Sequence, residues 1–493
     1  MPGRSRRRKF RMQGKTVAGV AAFWDGSGRD HKRATARSHG ERGPCVCRGY
    51  RAEVAIVRLT GKCLTCGAPL VLWVGLAPVR QMKAAFACPH CGVDLRLDVA
   101  LSGYEPRFAS EDVEVCELTA GEAETARGTV IYTDLPVPLE LIGDLGPTSP
   151  FLAMAGLWGD RAEEYTARSH ELQRLRDDVF PLARRASSVY GRGDFQALAD
   201  VLARIESLEQ IPELAEMHPV YQLGRLVDML HLPFVDLAQR TAAGNELLTL
   251  MVRANEAHHD EYRGLLAALG ADRRFAEHRR KVVETAMNVL DDADALLPGL
   301  AWEHISAEPP PSASDFRIMR SDFNELRARY VEIFELASQT LGYVGVIANI
   351  AERGAANSWC DGSTAGLKAV LRRQAWQREF ILAEFPLARE FYDAVHRHSR
   401  NAFGHYSIEY DLETGELVDR DGARTSFVLF MGDYLEAARM TAYLLTVAEK
   451  FTLAIDDPDA LHVQLEAAAD AFAAAVHEAG QRNEKESGVQ ASQ

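Results

Sequence analysis

Apolar positions recur with a period of two early in this chain and with a period near 3.6 later. Between residues 53 and 140, V-A-I-V-R-L, L-V-L-W-V and V-D-L-R-L-D-V alternate or run apolar between Gly and Pro. That pattern predicts short strands. After L-I-G-D-L-G-P-T-S-P (141–150) the texture turns helical. Asp194 reads as an N-cap, with Phe195, Leu198, Val201, Leu202, Ile205 and Leu208 following at helical spacing. The stretch 150–306 predicts several amphipathic helices, with no internal repeat and no chemical motif. P-P-P-S-A-S (309–314) makes 307–314 a linker.

Four further helices are expected over 315–456. The first runs from about Phe316 to Arg353, with a stripe of Phe323, Leu326, Tyr330, Ile333, Ala337, Leu341 and Val344, and stops at Gly354. The second covers Leu367 to Phe385, where Pro386 interrupts, and the third covers Leu387 to about His405. The fourth spans about Met431 to Leu453. Before it, Y-S-I-E-Y-D-L-E-T-G-E-L-V-D alternates around Thr414-Gly415 and predicts a β-hairpin. Four antiparallel helices with short connections make a bundle. The expected fold is therefore mainly α: a four-helix bundle with a hairpin insertion, a helical middle and a small β-rich region near the N-terminus. Residues 457–493 continue as a helix and a polar tail.

Charge refines this picture at one end. Residues 1–51 hold 14 Lys/Arg against Asp25, Asp30 and Glu41, a net +11, which leaves −25 on the rest of a chain of −14 overall. Residues 1–52 are Gly- and Ser-rich without periodicity, so a disordered basic arm is expected. Such an arm suits a polyanion, but a start codon placed too early would leave the same composition. Arg7-Arg8-Lys9-Phe10 before V-A-G-V-A-A-F-W resembles a twin-arginine signal, yet the apolar stretch is short and no small-residue cleavage site follows. No apolar run approaches the roughly 18 residues that span a membrane. A soluble, cytoplasmic protein is expected.

Six of the eight cysteines fall between 45 and 91. C-L-T-C-G (63–67) and C-P-H-C-G (88–92) are two C-x2-C-G knuckles separated by 21 residues. Each puts two thiolates on a tight turn, and the glycine permits the positive φ that turns backbone amides toward the sulfurs. Cys63, Cys66, Cys88 and Cys91 thus form a tetrahedral S4 set expected to hold Zn2+ structurally, since four thiolates leave no open position. The stretch resembles a zinc ribbon. His90 reads as an exposed residue inside the second knuckle. Cys45 and Cys47 with His31 and His39 are a weaker second set, because C-x-C lacks a partner knuckle. Cys116 and Cys360 are isolated thiols.

Arg400-Asn401-Ala402-Phe403-Gly404-His405 has the form R-N-x3-H, late in the third expected helix. The looser pattern of Arg with His five residues on also occurs at Arg253/His258 and Arg273/His278, but Ala254 and Arg274 there cannot replace Asn401. At about 100° per residue, Asn401 and His405 share a helix face with His398, and Arg400 flanks it. In this setting the motif resembles the HEPN (higher eukaryotes and prokaryotes nucleotide-binding) superfamily over about 316–456. That resemblance implies a metal-independent endoribonuclease assembled as a homodimer, with Arg400, Asn401 and His405 catalytic. Bacterial proteins of this kind resemble toxins or phage-defence effectors, which implies an inhibitor or antitoxin partner.

The residue types suit RNA. Its 2′-OH is a built-in nucleophile, a histidine can take or give the proton, and arginine can stabilise phosphoryl charge. The resemblance implies 2′,3′-cyclic phosphate and 5′-hydroxyl products. His396 and His398 are weaker, substrate-contacting candidates. The alternative is a non-catalytic zinc-ribbon protein that binds nucleic acid or a partner through an inert bundle. There Arg397 and Arg400 would pair with Asp393, and His405 would cap its helix.

Overall fold

The period-two stretches are strands in the computed structural model, which describes residues 56–75, 81–102, 105–141, 150–190, 192, 194–204, 219–231, 233–235, 237–359, 364, 366–371, 408–412 and 414–456. All of them belong to the compact unit Cys45–Gln493. The expected basic arm, the second helix beyond residue 371, the whole third helix and the tail lie outside the described residues.

Strand β1 (Ile56–Cys63) pairs antiparallel with β2 (Pro69–Gly75). A second antiparallel set joins β3 (Gln81–Ala87), β4 (Asp94–Ser102) and β5 (Glu105–Ala109). The short β6 (Val113–Val115) returns to the free edge of β1. Helix α1 (Ala120–Thr125) starts with a capping box between Thr119 and Glu122, and β7 (Arg127–Ile131) then adds in parallel to β2. Alternation decides which faces pack: Leu95, Leu97 and Val99 of β4 are buried while Arg96 and Asp98 between them are exposed. Leu70, Leu72 and Val74 of β2 join the same core as these β4 residues.

Close packing at the β2–β7 edge depends on Gly75. A Cβ added there would lie 2.1 Å from the Tyr132 ring. Tyr132 is itself buried and cannot swing aside. Gly75→Ala should therefore cost about 1–3 kcal/mol by overpacking, read as a lower urea midpoint with unchanged slope.

Beyond β8 (Val137–Pro138) the described chain is almost wholly helical. It comprises α2 (Pro150–Trp158), α3 (Ala162–Asp178), α4 (Phe180–Tyr190), α5 (Phe195–Leu202), α6 (Pro219–His231), α7 (Leu237–Ala257), α8 (His259–Ala271), α9 (Arg273–Asp291) and α10 (Leu297–Glu303). Local chemistry sets several boundaries. The Asp194 carboxylate accepts from Ala197 N at 3.0 Å, the cap that its position predicts. Asp272 caps α9 through Arg274 N at 2.9 Å. Phe275, Val282, Val283, Ala286, Val289 and Leu290 then form the buried face of α9.

The expected first helix of the C-terminal part begins later than its pattern suggests. Phe316–Arg317 is instead a short strand, β9, pairing antiparallel with β8. Helix α11 runs over Phe323–Arg353 and ends as expected where Gly354 adopts φ 78°. The apolar stripe could not reveal the extended start, because a distant partner, β8, draws those residues out. Helix α12 (Leu367–Val370) opens the second expected helix. Strands β10 (Ile408–Asp411) and β11 (Glu416–Asp419) make the predicted hairpin, with Gly415 at φ 71°. A third strand, β12 (Arg424–Ser426), pairs with β11.

Helix α13 (Phe427–Asp456) starts four residues before its expected beginning. The Ser426 hydroxyl accepts from Val428 N at 3.2 Å and supports that earlier start. Every residue from Met440 to Ala454 is buried, because α6, α7, α8, α9, α10 and α11 all pack against this helix. Two of its buried hydroxyls meet partners on the surrounding helices: His231 faces the Thr441 hydroxyl at 3.2 Å, and Arg279 donates to Thr452 at 2.6 Å. One hydrophobic core consequently runs from Leu59 to Ala454, drawing on strands, middle helices and C-terminal helices alike.

Among the described residues, α11 alone is long and apolar enough by composition to cross a membrane. Glu335, Ser338, Gln339 and Thr340 interrupt its apolar runs, although its mean hydropathy reaches 1.2 over its most apolar stretch. Since 83% of that stretch is buried in the protein, it reads as a core helix.

Candidate metal centre and the adjoining cleft

The two knuckles adopt one backbone form. Gly67 N donates to Cys63 O at 2.8 Å, and Gly92 N donates to Cys88 O at 2.9 Å. Cys63 N reaches Ala68 O at 3.0 Å, and Cys88 N reaches Val93 O at 2.8 Å. Gly67 and Gly92 sit at φ 70° and 74°. A Cβ at either would meet nothing within 4 Å, so left-handed backbone, not lack of space, selects glycine here.

These turns bring the Sγ atoms of Cys63, Cys66, Cys88 and Cys91 within 4.8 Å of one another. Cys66 and Cys88 sulfurs are 4.0 Å apart, far beyond a disulfide bond, and all four thiols are free. A tetrahedral zinc with Zn–S bonds of about 2.3 Å would hold its sulfurs about 3.8 Å apart. The quartet therefore fits a divalent ion such as zinc. Backbone amides of Thr65 and Cys66 point at the Cys63 sulfur, those of His90 and Cys91 at Cys88, and that of Ala68 at Cys66. Such amides stabilise thiolate charge.

Without a cation, Cys66 and Cys88 resist ionisation. Burial, reinforced by neighbouring thiols, pushes Cys88 up to about 12 despite its amide donors. At Cys66 the Ala68 amide lowers the pKa, but burial and the Cys91 and Cys63 thiols raise it on balance. At Cys63 burial is outweighed by the amides and neighbouring thiols, and the net shift is downward. Four clustered sulfurs, two of them buried, need a positive charge among them to ionise together.

Other contacts brace the quartet. His90 is exposed, as its place in the knuckle suggests, and its Nε2 lies 3.2 Å from Pro69 O at the start of β2, just after the first knuckle. Arg127 donates to Pro89 O at 2.8 Å. Asp112 accepts from Arg96 N through its carboxylate at 2.9 Å and from Leu64 N through its carbonyl at 3.0 Å. That residue thus clips the β3–β4–β5 sheet to the first knuckle, a link the cysteine spacing alone does not reveal. Cys116 stands outside the quartet, and burial raises its thiol pKa. Cys45, Cys47, His31, His39 and Cys360 lie outside the described residues.

A cleft of about 940 Å³ opens between β4, the start of α11 and β10. Asp94 and Arg96 come from the strand next to the second knuckle, Phe323 and Arg327 from α11, and Ile408 and Tyr410 from the hairpin. The Arg327 guanidinium lies 5.7 Å from the Phe323 ring centroid and donates to Ile408 O at 3.3 Å. Tyr410 donates its hydroxyl proton to Ile318 O at 2.7 Å and packs on Phe427 at 4.8 Å. These contacts fix β10 against α11.

Arg400, Asn401 and His405, with His396 and His398, lie outside the described residues. Ile408 follows His405 by three positions in sequence. No protein-family model, curated protein or solved structure matches this chain.

Proposed function

We propose that the protein is a metal-independent endoribonuclease whose zinc ribbon serves as a structural and recognition module. Cys63, Cys66, Cys88 and Cys91 would hold the zinc, and their distances and amide donors support that assignment. Bound zinc supplies a covalent-strength cross-link between two strand layers, with no open position for substrate.

The observation that carries the nuclease reading is the R-N-x3-H motif at 400–405, ending three residues before a strand that lines the cleft. In this reading His405 takes the 2′-OH proton, and the second protomer's copy of the same histidine protonates the leaving 5′-oxygen. Arg400 binds the non-bridging oxygens as charge builds on them, and Asn401 orients the histidine or the phosphate. His396 and His398 contact the RNA strand nearby. The protein would work as a homodimer in the cytoplasm, as a toxin or defence effector restrained by an inhibitor partner.

A second reading also has a specific observation in its favour. The one cluster of potential metal ligands among the described residues is a closed four-sulfur set, the form that builds binding modules. A non-catalytic zinc-ribbon protein binding RNA or a partner would look the same there. The two separate on total RNA incubated with purified, zinc-loaded protein without added divalent cations. Cleavage by wild type and none by the Arg400→Ala/His405→Ala double variant supports the nuclease. Equal behaviour of the two, in the tube and in a growth assay, leaves the binding module.

A further inference from the structure

Where the β7–β8 connection meets the helices, charged groups gather, several of them buried. Arg320 binds Asp322 through two hydrogen bonds, at 2.9 and 2.5 Å, and donates to Thr133 O at 3.2 Å and Asp294 O at 3.4 Å. Arg176 of α3 pairs with Asp294 at 2.5 Å. Arg329 of α11 pairs with Asp292. Each guanidinium thus has its own carboxylate. A fourth carboxylate, Asp134, is 6% exposed and has no such partner, and its Oδ1 accepts no hydrogen bond.

We propose that Asp134 enters the fold carrying its proton, and that this proton keeps the junction between the β7–β8 connection and the helices closed. The geometry favours it: a buried carboxylate in excess of the guanidinium partners is far more costly to ionise than to bury as the neutral acid. Asp134 is faced by Arg320 and Asp294, by Tyr132 on its own segment and by Tyr165 of α3. Asp322, Asp292, Arg176 and Arg329 complete the charged surroundings and cancel in pairs. The same segment is tied to the stretch before α11 by Met319 N donating to Tyr132 O at 3.3 Å and by Arg320 donating to Thr133 O, next to the β8–β9 pairing, so a charge on Asp134 would act on these bonds.

Burial, aided by Asp294 and only partly offset by its own amide and Arg320, raises the Asp134 carboxyl from 3.8 to about 7. A raised folded-state pKa means that the folded chain holds a proton the unfolded chain has lost. Its contribution is full below pH 4, declines as pH rises toward 7, and is gone above. The buried His231 and His278, lowered by burial to about 4, act in the opposite sense by weakening the fold below pH 6.5. Wild-type stability alone therefore mixes the two effects, and a difference between variants isolates Asp134.

The test is urea unfolding of the full chain and of Asp134→Asn, which keeps the shape without the ionisation, from pH 4.5 to 9. The wild-type unfolding constant, divided by that of the variant, should rise roughly tenfold per pH unit between 4.5 and 6.5 and level off above 8. A ratio constant within about twofold over that range overturns the proposal. If the variant does not fold, amide exchange of the wild type decides. Corrected for intrinsic rate, the Met319 amide should exchange at least about tenfold faster at pH 8.5 than at pH 6, with α13 amides unchanged. Equal corrected rates at the two pH values would reject the idea.

Discussion

Cys88→Ser is expected to lower bound zinc from one ion per chain to below about one tenth, and to unfold the strand region with it. The sulfur is buried, and its serine counterpart is a poor zinc ligand whose loss leaves three thiols facing each other. Structural zinc in small folds contributes an apparent binding energy of about 10–16 kcal/mol at neutral pH, of which folding retains a part. The strand region shares its core with the helices, so the effect should reach beyond the knuckles as a lowered melting temperature of the whole unit. Cys116→Ser is the matched control, since it removes a partly buried thiol outside the quartet. It should keep one zinc per chain. Metal analysis after gel filtration checks both.

His405→Ala should reduce RNA cleavage by about 10²–10⁴-fold, the usual contribution of a positioned general acid or base. Arg400→Ala should reduce it by about 10²–10³-fold, because phosphoryl charge would then develop without its fork of donors. Neither change should alter zinc content. The reaction's dependence on pH should be bell-shaped, since one histidine must be neutral and its counterpart protonated. Initial rates on a defined RNA between pH 5 and 9 provide the measurement. A single rising limb, insensitive to His405→Ala, would point to another base.

Features set by local chemistry were legible in the sequence. The C-x2-C-G repeats, the Asp194 cap, the Gly354 stop and the hairpin turning at Gly415 each depend on residues close in the chain, and each is found where its pattern places it. What the pattern missed depends on distant partners. Phe316 and Arg317 read as the start of a helix because β8, about 180 residues earlier, cannot be seen from local periodicity. The apolar pattern over Met431–Leu453 predicts a helix but not that six helices surround it, and its Thr441 and Thr452 find partners only in the assembled core. The odd carboxylate Asp134 had no sequence signal at all. It stands out only when the arginines of three separate segments have been paired off.

The most direct test of the nuclease reading is the chemistry of the ends left on RNA. A defined oligoribonucleotide treated with zinc-loaded wild-type protein in the absence of added divalent cations should yield 2′,3′-cyclic phosphate and 5′-hydroxyl termini, and Arg400→Ala/His405→Ala protein should yield none. Products bearing 3′-hydroxyl and 5′-phosphate, cleavage only with added Mg2+, or equal cleavage by the double variant would contradict it.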